Sequence, residues 1–350
     1  MQAARPEGED NRMPDKETAP DAVIREFVAR SGLVPGDPPT HFTALTGGVA
    51  SDIWKVEAAG QVFVVKKALS RLRVAREWTA PVSRNASEVD WLVTAGAVVP
   101  DAVPKVLAHD EQAGAFAMEF LDPAEYPVWK AELQAGHAIP AFAAQVGKAL
   151  AAIHNATAGD ETVARRFAND AVFHAIRLEP YLEATALLHP QLSDALMALS
   201  RDTLATKRAL VHGDVSPKNI LVGQLGPIFL DAECAWYGDP AFDLAFCLNH
   251  MLLKMFLARA AQGSLRACFV ALASTYLDAV SFERREDIEA RAARLLPGLL
   301  LGRVDGKSPV EYLTQEADKE RVRRAATSLI VHPPHVLSAV INGFVTELAQ

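Results

Sequence analysis

Cysteine is scarce in this chain. Cys234, Cys247 and Cys268 are the whole complement in 350 residues, too few and too irregular for a disulfide framework or a zinc ribbon. They read as small buried hydrophobes in a reducing compartment. The Walker A pattern and the G-x-G-x-x-G fingerprint are both missing, so neither familiar glycine-rich nucleotide loop is on offer. No apolar run is long enough for a bilayer. The most apolar stretch, Phe242 to Ala261, is broken by Asp243, Asn249, His250, Lys254 and Arg259 and predicts a core helix instead. The first 20 residues are charged and proline-rich with no apolar segment, which argues against a secretory signal and predicts a disordered tail over 1–20. Cations are in the minority, with 35 Lys and Arg against 43 Asp and Glu, for a net charge of -8. A body of that sign is a poor partner for DNA or RNA, although a local basic site for a phosphorylated ligand is compatible with it. The expectation is a cytoplasmic protein with no nucleic-acid and no membrane partner; a homodimer is compatible with the sequence.

What is present is ordinary globular material. Half of the residues are hydrophobic and 22% are charged, and the length suits two lobes. Asp21 to Ser31 carries apolar residues at Val23, Ile24, Phe27 and Val28 behind a capping Asp21, which predicts a helix. From Phe42 to Leu69, β-branched and aromatic runs broken by glycine predict an antiparallel meander. Arg84 to Ala95 has helical spacing, and Val103–His109 and Ala115–Leu121 predict two more strands. Residues 21–121 therefore form a small sheet lobe with one inserted helix. The remainder, 122–350, is mostly helical, with apolar residues at helical spacing in Ile139–Thr157, Leu192–Leu204 and Leu265–Leu277. The predicted class is α+β, a small antiparallel-sheet N-lobe followed by a larger helical C-lobe.

One non-helical island interrupts the second lobe. Leu210–His212, Ile220–Val222 and Pro227–Asp231 read as short strands joined by polar loops, and such loops commonly carry chemistry. His212-Gly213-Asp214 is followed by Asn219 in H-G-D-x-x-x-x-N order, and a later strand ends in Asp231-Ala232-Glu233. Asp214 and Asn219 share a loop and Asp231 ends the next strand, so two carboxylates and one amide oxygen can converge. Such sparse oxygen ligation suits Mg2+ when phosphates supply the remaining ligands. A carboxylate outside the metal's ligands can take a proton from an attacking hydroxyl. That division of labour is the phosphoryl-transfer arrangement. It makes Asp214 the base, and Asn219 and Asp231 metal ligands.

The island resembles the aminoglycoside phosphotransferase and choline kinase family, the small-molecule branch of the protein-kinase-like fold. Three spaced motifs carry the resemblance: His212-Gly213-Asp214 with Asn219, Asp231-Ala232-Glu233, and Gly238-Asp239-Pro240 followed by Asp243-Leu244-Ala245. It implies a bilobal kinase fold, ATP and Mg2+ as cofactors, and a small-molecule hydroxyl as acceptor. It adds Glu233 to the metal site, touching the ion directly, through water, or not at all. His212 is expected to hold the loop in shape, Asp243 to accept N–H groups of that loop, and Lys218 to be a solvated lysine. Ser216 is a candidate for orienting substrate. The A-P-E segment of protein kinases is missing, which argues against a protein acceptor. A nucleotide-binding pseudokinase would lack a catalytic or metal residue, and none is missing.

The sheet ahead of such a loop is then the nucleotide side. Gly47, Gly48 and Ser51, in the first hairpin, let backbone N–H groups approach phosphate oxygens, although an ordinary turn would read the same. One lysine should reach the α- and β-phosphates, braced by a helix glutamate. The resemblance favours Lys66, leaving Lys67 to solvent; Glu88 is the first choice of brace and Glu77 the second. Ala117–Leu121 is the expected hinge, where Glu119 and Phe120 present backbone groups to adenine. Trp78–Pro81, Arg84, Glu88, Val103-Pro104 and Met118-Glu119 are similar to the 5-methylthioribose kinase branch, which implies a sugar-like acceptor such as methylthioribose. No doubled arginine aligns with that branch's acceptor pocket; Arg323-Arg324 is a candidate but reads as solvated helix charge. In the polar stretch Gly302 to Leu313, Arg303 and Lys307 either anchor a polar or anionic acceptor or tie the loop to its lobe. An aminoglycoside or amino alcohol is the alternative acceptor. A choline-type cation would want an aromatic cage, for which Trp236, Tyr237 and Tyr312 are the candidates.

Overall fold

Asp21 opens the first helix, Ala22–Arg30, by accepting the Ile24 N–H at 2.9 Å. The computed structural model of the chain describes residues 19–36, 38–45, 51–69 and 84–348. Gly47, Gly48, Glu77, Trp78–Pro81 and the tail to residue 18 lie outside the described residues. The chain divides into two units. One comprises residues up to Asn85 with Leu107–Phe120, and the other Ala86–Val106 with everything from Leu121 onward.

Among the described residues, the first unit is a five-stranded sheet with one helix. Its strands are β1 (Thr40–Ala44), β2 (Ser51–Ala58), β3 (Gln61–Ala68), β4 (Val106–Asp110) and β5 (Ala115–Glu119), in the order β1-β2-β3-β5-β4. β2 and β3 are antiparallel, with Trp54 opposite Val65 and Val56 opposite Phe63. Two-residue alternation gathers these side chains on one face, where Ile24, Phe27 and Val28 of the helix close the core over them. Each such burial is worth about 1.5–3 kcal/mol. Lys66 stands on the opposite face with Val64 and is itself buried. Lys67 departs from expectation. Alternation places it on the Val65 face, which the first helix covers, and its ammonium pairs with Asp21 instead of reaching open solvent.

The second unit is mostly helical. Every residue from Ala241 to Phe256 in the helix Ala241–Leu257 is buried. Its polar interruptions therefore mark a core helix wrapped on all sides, as the sequence predicts. Among the described residues, no helix is long and apolar enough to cross a membrane, and Cys234, Cys247 and Cys268 are free and buried. Two small ladders break the helical run: β6 (Ala209–Val211) pairs with β9 (Trp236–Gly238), and β7 (Ile220–Val222) with β8 (Pro227–Phe229). β9, Trp-Tyr-Gly, lacks the aliphatic run that marks β6 and β7 in the sequence. The stretch expected to be a loop from Gly302 begins instead as the end of the helix Arg285–Asp305. Helical periodicity there is hidden by Gly302, where a Cβ would collide with the Tyr181 carbonyl oxygen. The class is α+β, as predicted.

Candidate active site

β6 delivers His212-Gly213-Asp214 into a loop that few other residues could form. Gly213 has a φ of 78°, and a Cβ there would lie 2.8 Å from the Cys234 carbonyl oxygen. Position and backbone both demand glycine. Asp243, wholly buried, accepts the His212 N–H at 2.7 Å and the Gly213 N–H at 2.8 Å. This is the role the sequence assigns it. His212 Nδ1 accepts the Asp214 N–H at 3.1 Å, which leaves Nε2 to donate to the Leu230 carbonyl at 3.1 Å. Burial pushes the His212 pKa down, against the pull of Asp243 and Asp214, so the ring stays neutral in that tautomer. It ties the Asp214 loop to the segment that leads into Asp231.

Asp214 is buried between two cations. Its Oδ2 lies 2.9 Å from Arg177 Nη2 and 3.1 Å from Lys218 Nζ. Burial acts to raise the pKa of this carboxyl, but Lys218 and Arg177 outweigh it and hold it below the ordinary value. Asp214 in turn raises the Lys218 pKa. Lys218 is thus exposed, as expected of a solvated loop lysine, and also ion-paired with Asp214. Arg177 was invisible to sequence reasoning. It belongs to the π-helix His174–Glu183 and also donates through Nε to the Gly213 carbonyl. Wide-turn segments of this kind often occur at functional sites. The one available signal was Pro180 inside an otherwise helical run.

Asn219 Nδ2 donates to the Asp214 carbonyl at 3.1 Å, and its own carbonyl accepts the Leu230 N–H at 2.9 Å. The two loops are therefore stitched together. Asp231 follows with a φ of 67°, a left-handed conformation uncommon outside glycine and strained by about 1 kcal/mol or more. Glu88, Asp231 and Glu233 each offer a carboxylate oxygen, and these oxygens lie within 4.8 Å of one another. Glu88 and Glu233 are buried and Asp231 is half-buried. Like charges so close in a poorly hydrated place favour a bound cation, and an all-oxygen donor set fits a hard divalent ion. Asp231 also acts electrostatically on Asp214 and Lys218, so the carboxylate cluster adjoins the Asp214 loop. Glu88, expected as a brace for Lys66, is thus brought to the candidate metal ligands, a placement its helix position did not reveal.

Ser51, Lys66, Glu119 and Phe120 belong to the first unit. There Ser51 opens β2 opposite Ala68, Lys66 lies opposite Ile53 and Phe116, and Glu119 ends β5 opposite Phe63. The Lys55 ammonium sits 4.8 Å from the centre of the Phe120 ring. In the second unit, Lys307 pairs with Glu179, and Arg303 Nη1 reaches the Tyr181 hydroxyl at 3.1 Å and Ser308 Oγ at 2.9 Å. Lys307 ties the loop, and Arg303 the end of the helix Arg285–Asp305, to the π-helix. Arg323 grips Asp305 and Arg324 pairs with Glu347. The cage candidates do not assemble: Trp236 stacks on Phe173, and among the described residues no ring contact joins it or Tyr237 to Tyr312. The Ser216 hydroxyl is buried with no hydrogen-bond partner among the described residues.

The sequence model of the phosphotransferase enzyme family matches residues 41–286. Methylthioribose kinases of Yersinia pseudotuberculosis serotype O:3 and Pectobacterium atrosepticum are each 27% identical over 267 residues. The overlap takes 68% of this chain and 64% and 66% of theirs, so this chain spans just under two thirds of their length. Among solved structures, amicoumacin kinase hAmiN in complex with AMP-PNP, Ca2+ and Ami matches with a TM-score of 0.54 at 14% identity, covering 90% of this chain and 94% of that one. The aminoglycoside phosphotransferase from Alicyclobacillus acidocaldarius matches with a TM-score of 0.51 at 14% identity, covering 97% and 100%. At such identities the likeness is one of fold.

Proposed function

We propose, from the premise that this chain belongs to the phosphotransferase enzyme family, that it is an ATP- and Mg2+-dependent kinase that phosphorylates a hydroxyl of a small, sugar-like molecule. One observation carries the reading: Asp214, ionised between Arg177 and Lys218, adjoins three carboxylates whose oxygens converge within 4.8 Å. Asp214 orients the acceptor hydroxyl and takes its proton at a carboxylate oxygen. Asn219, Asp231 and Glu233, with Glu88, hold the metal. A bound Mg2+ would neutralise charge on the transferring phosphoryl group. Lys66 aligns the nucleotide phosphates. Gly47, Gly48 and Ser51 offer backbone N–H groups to them, and Glu119 and Phe120 present backbone to the adenine. The names of the 27%-identical relatives make methylthioribose the first acceptor to try.

The test is ADP release from ATP and Mg2+ across a panel of sugars, amino alcohols and aminoglycosides. Asp214→Asn should lower kcat by roughly 100- to 10,000-fold, the usual worth of a positioned base, without changing the melting behaviour enough to signal unfolding. Undiminished turnover in that variant would overturn the assignment.

A further inference from the structure

A small pocket opens beside the Asp214 loop, and its charge speaks to the acceptor's charged group. Pro217 and Lys218 of that loop line it, with Lys130 from the helix Trp129–Gln134, Lys254 from Ala241–Leu257 and Arg303 from Arg285–Asp305. Glu311 is the one carboxylate in the lining, and Tyr312 stands next to it. None of Glu88, Asp231 and Glu233 lines it, so the pocket is separate from the candidate metal ligands.

Two of the four cations already have counter-charges. Lys130 pairs with Glu311, and Lys218 with Asp214. Lys254 and Arg303 have no ion pair within 4 Å among the described residues; the Glu311 carboxylate acts on both from farther off, and Arg303 Nη1 is taken by Tyr181 and Ser308. Lys254 is 1% exposed, and its ammonium rests 4.7 Å from the centre of the Tyr312 ring. A ring face eases a cation's burial but does not replace a counter-ion, and an uncompensated buried charge is costly. Arg303 Nε and the Tyr312 hydroxyl are buried with no hydrogen-bond partner among the described residues, a further cost. His250, also in the lining, brings no charge, because burial and the surrounding cations keep its ring neutral. Two cations, one of them with an orphaned Nε, and the orphaned Tyr312 hydroxyl around one cavity are the complement of an oxyanion.

We infer that the acceptor is a polyhydroxy compound bearing a carboxylate or phosphate, and that Lys254 and Arg303 hold this anionic group while Lys218 links the pocket to Asp214. The inference rests on the kinase reading and narrows it. The same charges repel the ammonium groups of an aminoglycoside or a choline, and they hold a neutral sugar less strongly than an anionic one.

The experiment titrates the full chain calorimetrically, at fixed ionic strength, with ribose and glucose, their terminal phosphates and their aldonates, alongside ATP turnover with each. At least one charged series should bind about tenfold or more tightly than its neutral parent, as expected for a charge-assisted contact. Lys254→Met and Arg303→Gln should each erase that advantage, whereas Lys319→Ala, outside the pocket, should keep it. Preference between the two charged series separates phosphate from carboxylate. No advantage of charge, or an advantage that survives both pocket variants, overturns the inference. Failure of the underlying reading looks different: a charged sugar binds in a Lys254-dependent way, yet ATP is never consumed. Turnover of neutral methylthioribose with no preference for charge leaves the kinase reading standing and removes this one.

Discussion

Arg177 Nη2 lies 2.9 Å from Asp214 Oδ2, with 11% and 7% of the two side chains exposed. The same guanidinium holds the Gly213 carbonyl, so it grips the loop at both its backbone and its carboxylate. A planar fork suits that double task better than a flexible ammonium does. Asp214 is therefore fixed in place and kept ionised, which makes it better at orienting a hydroxyl than at taking a proton early.

Deleting the guanidinium should move the acid side of the pH profile. Burial alone raises the Asp214 pKa, while Lys218 and Arg177 hold it down. In Arg177→Ala one opposing cation is gone, so the carboxyl protonates at higher pH and the acid limb of kcat/KM shifts upward. The sign for stability agrees. A depressed carboxyl stabilises the fold above its ordinary pKa, and that contribution is lost as pH falls through the depressed value. Losing one partner of a buried pair should also cost about 3 to 5 kcal/mol. Arg177→Lys, which keeps the charge, should restore most of the profile. Profiles that extend below the ordinary carboxyl value of 3.8 decide the matter, and an unmoved acid limb in Arg177→Ala would refute the coupling.

Metal removal separates two duties of Glu88. Excess EDTA should abolish turnover and Mg2+ restore it. In nucleotide-free protein, Asp231→Asn should weaken Mn2+ binding roughly 10- to 100-fold, a typical penalty at a tuned metal site. Glu88→Gln should weaken it comparably if Glu88 serves the cluster it shares with Asp231 and Glu233. A Glu88→Gln protein with unchanged Mn2+ affinity and a raised KM for ATP would assign Glu88 to the lysine alone.

Two glycine substitutions should move stability in opposite directions. Gly213→Ala meets both a φ of 78° and the Cys234 carbonyl oxygen at 2.8 Å, and should cost about 2 to 4 kcal/mol. Gly263→Ala, in the helix Gln262–Ala279 with nothing within 4 Å of the new methyl group, should gain about 0.5 to 1 kcal/mol. Urea melts of the pair check the contrast, and a stable, active Gly213→Ala would show that the loop tolerates another path.

Much of the Asp214 loop was legible because its chemistry sits in one stretch. His212, Asp214, Asn219 and Asp231 fall within 20 residues, and β6, β7 and β8 around them read as short apolar runs. Arg177 was not legible, since it is 37 positions before Asp214 and comes from a π-helix whose periodicity resembles an ordinary surface helix. The cationic pocket was hidden for the same reason. Its charges come from separate helices and one loop; Arg303 alone stood out as a candidate anchor for an anionic acceptor, and nothing in the sequence joined it to the others. Lys254 was read merely as an interruption of an apolar stretch, and Lys67 as a solvent lysine. In both cases the missing information was which neighbouring element covers that face.

Lys254 sets stability against binding. Burial, with Lys130 acting the same way, lowers its pKa from 10.5 to about 8. At neutral pH the amine is protonated in both folded and unfolded chains, and the fold carries the full penalty of the buried cation. Between about 8 and 10.5 the unfolded chain keeps a proton that the folded chain has released, so stability rises with pH across that window. Lys254→Met removes the charge while keeping a similar unbranched volume. The variant should therefore be more stable than the parent at neutral pH, by up to about 3 kcal/mol, and the gap should close as pH climbs through the window. Paired urea melts at neutral pH and near the top of the window measure it. A variant less stable than its parent at neutral pH would mean that the fold already compensates the ammonium. A more stable variant would mark this lysine as a residue retained at the expense of the fold.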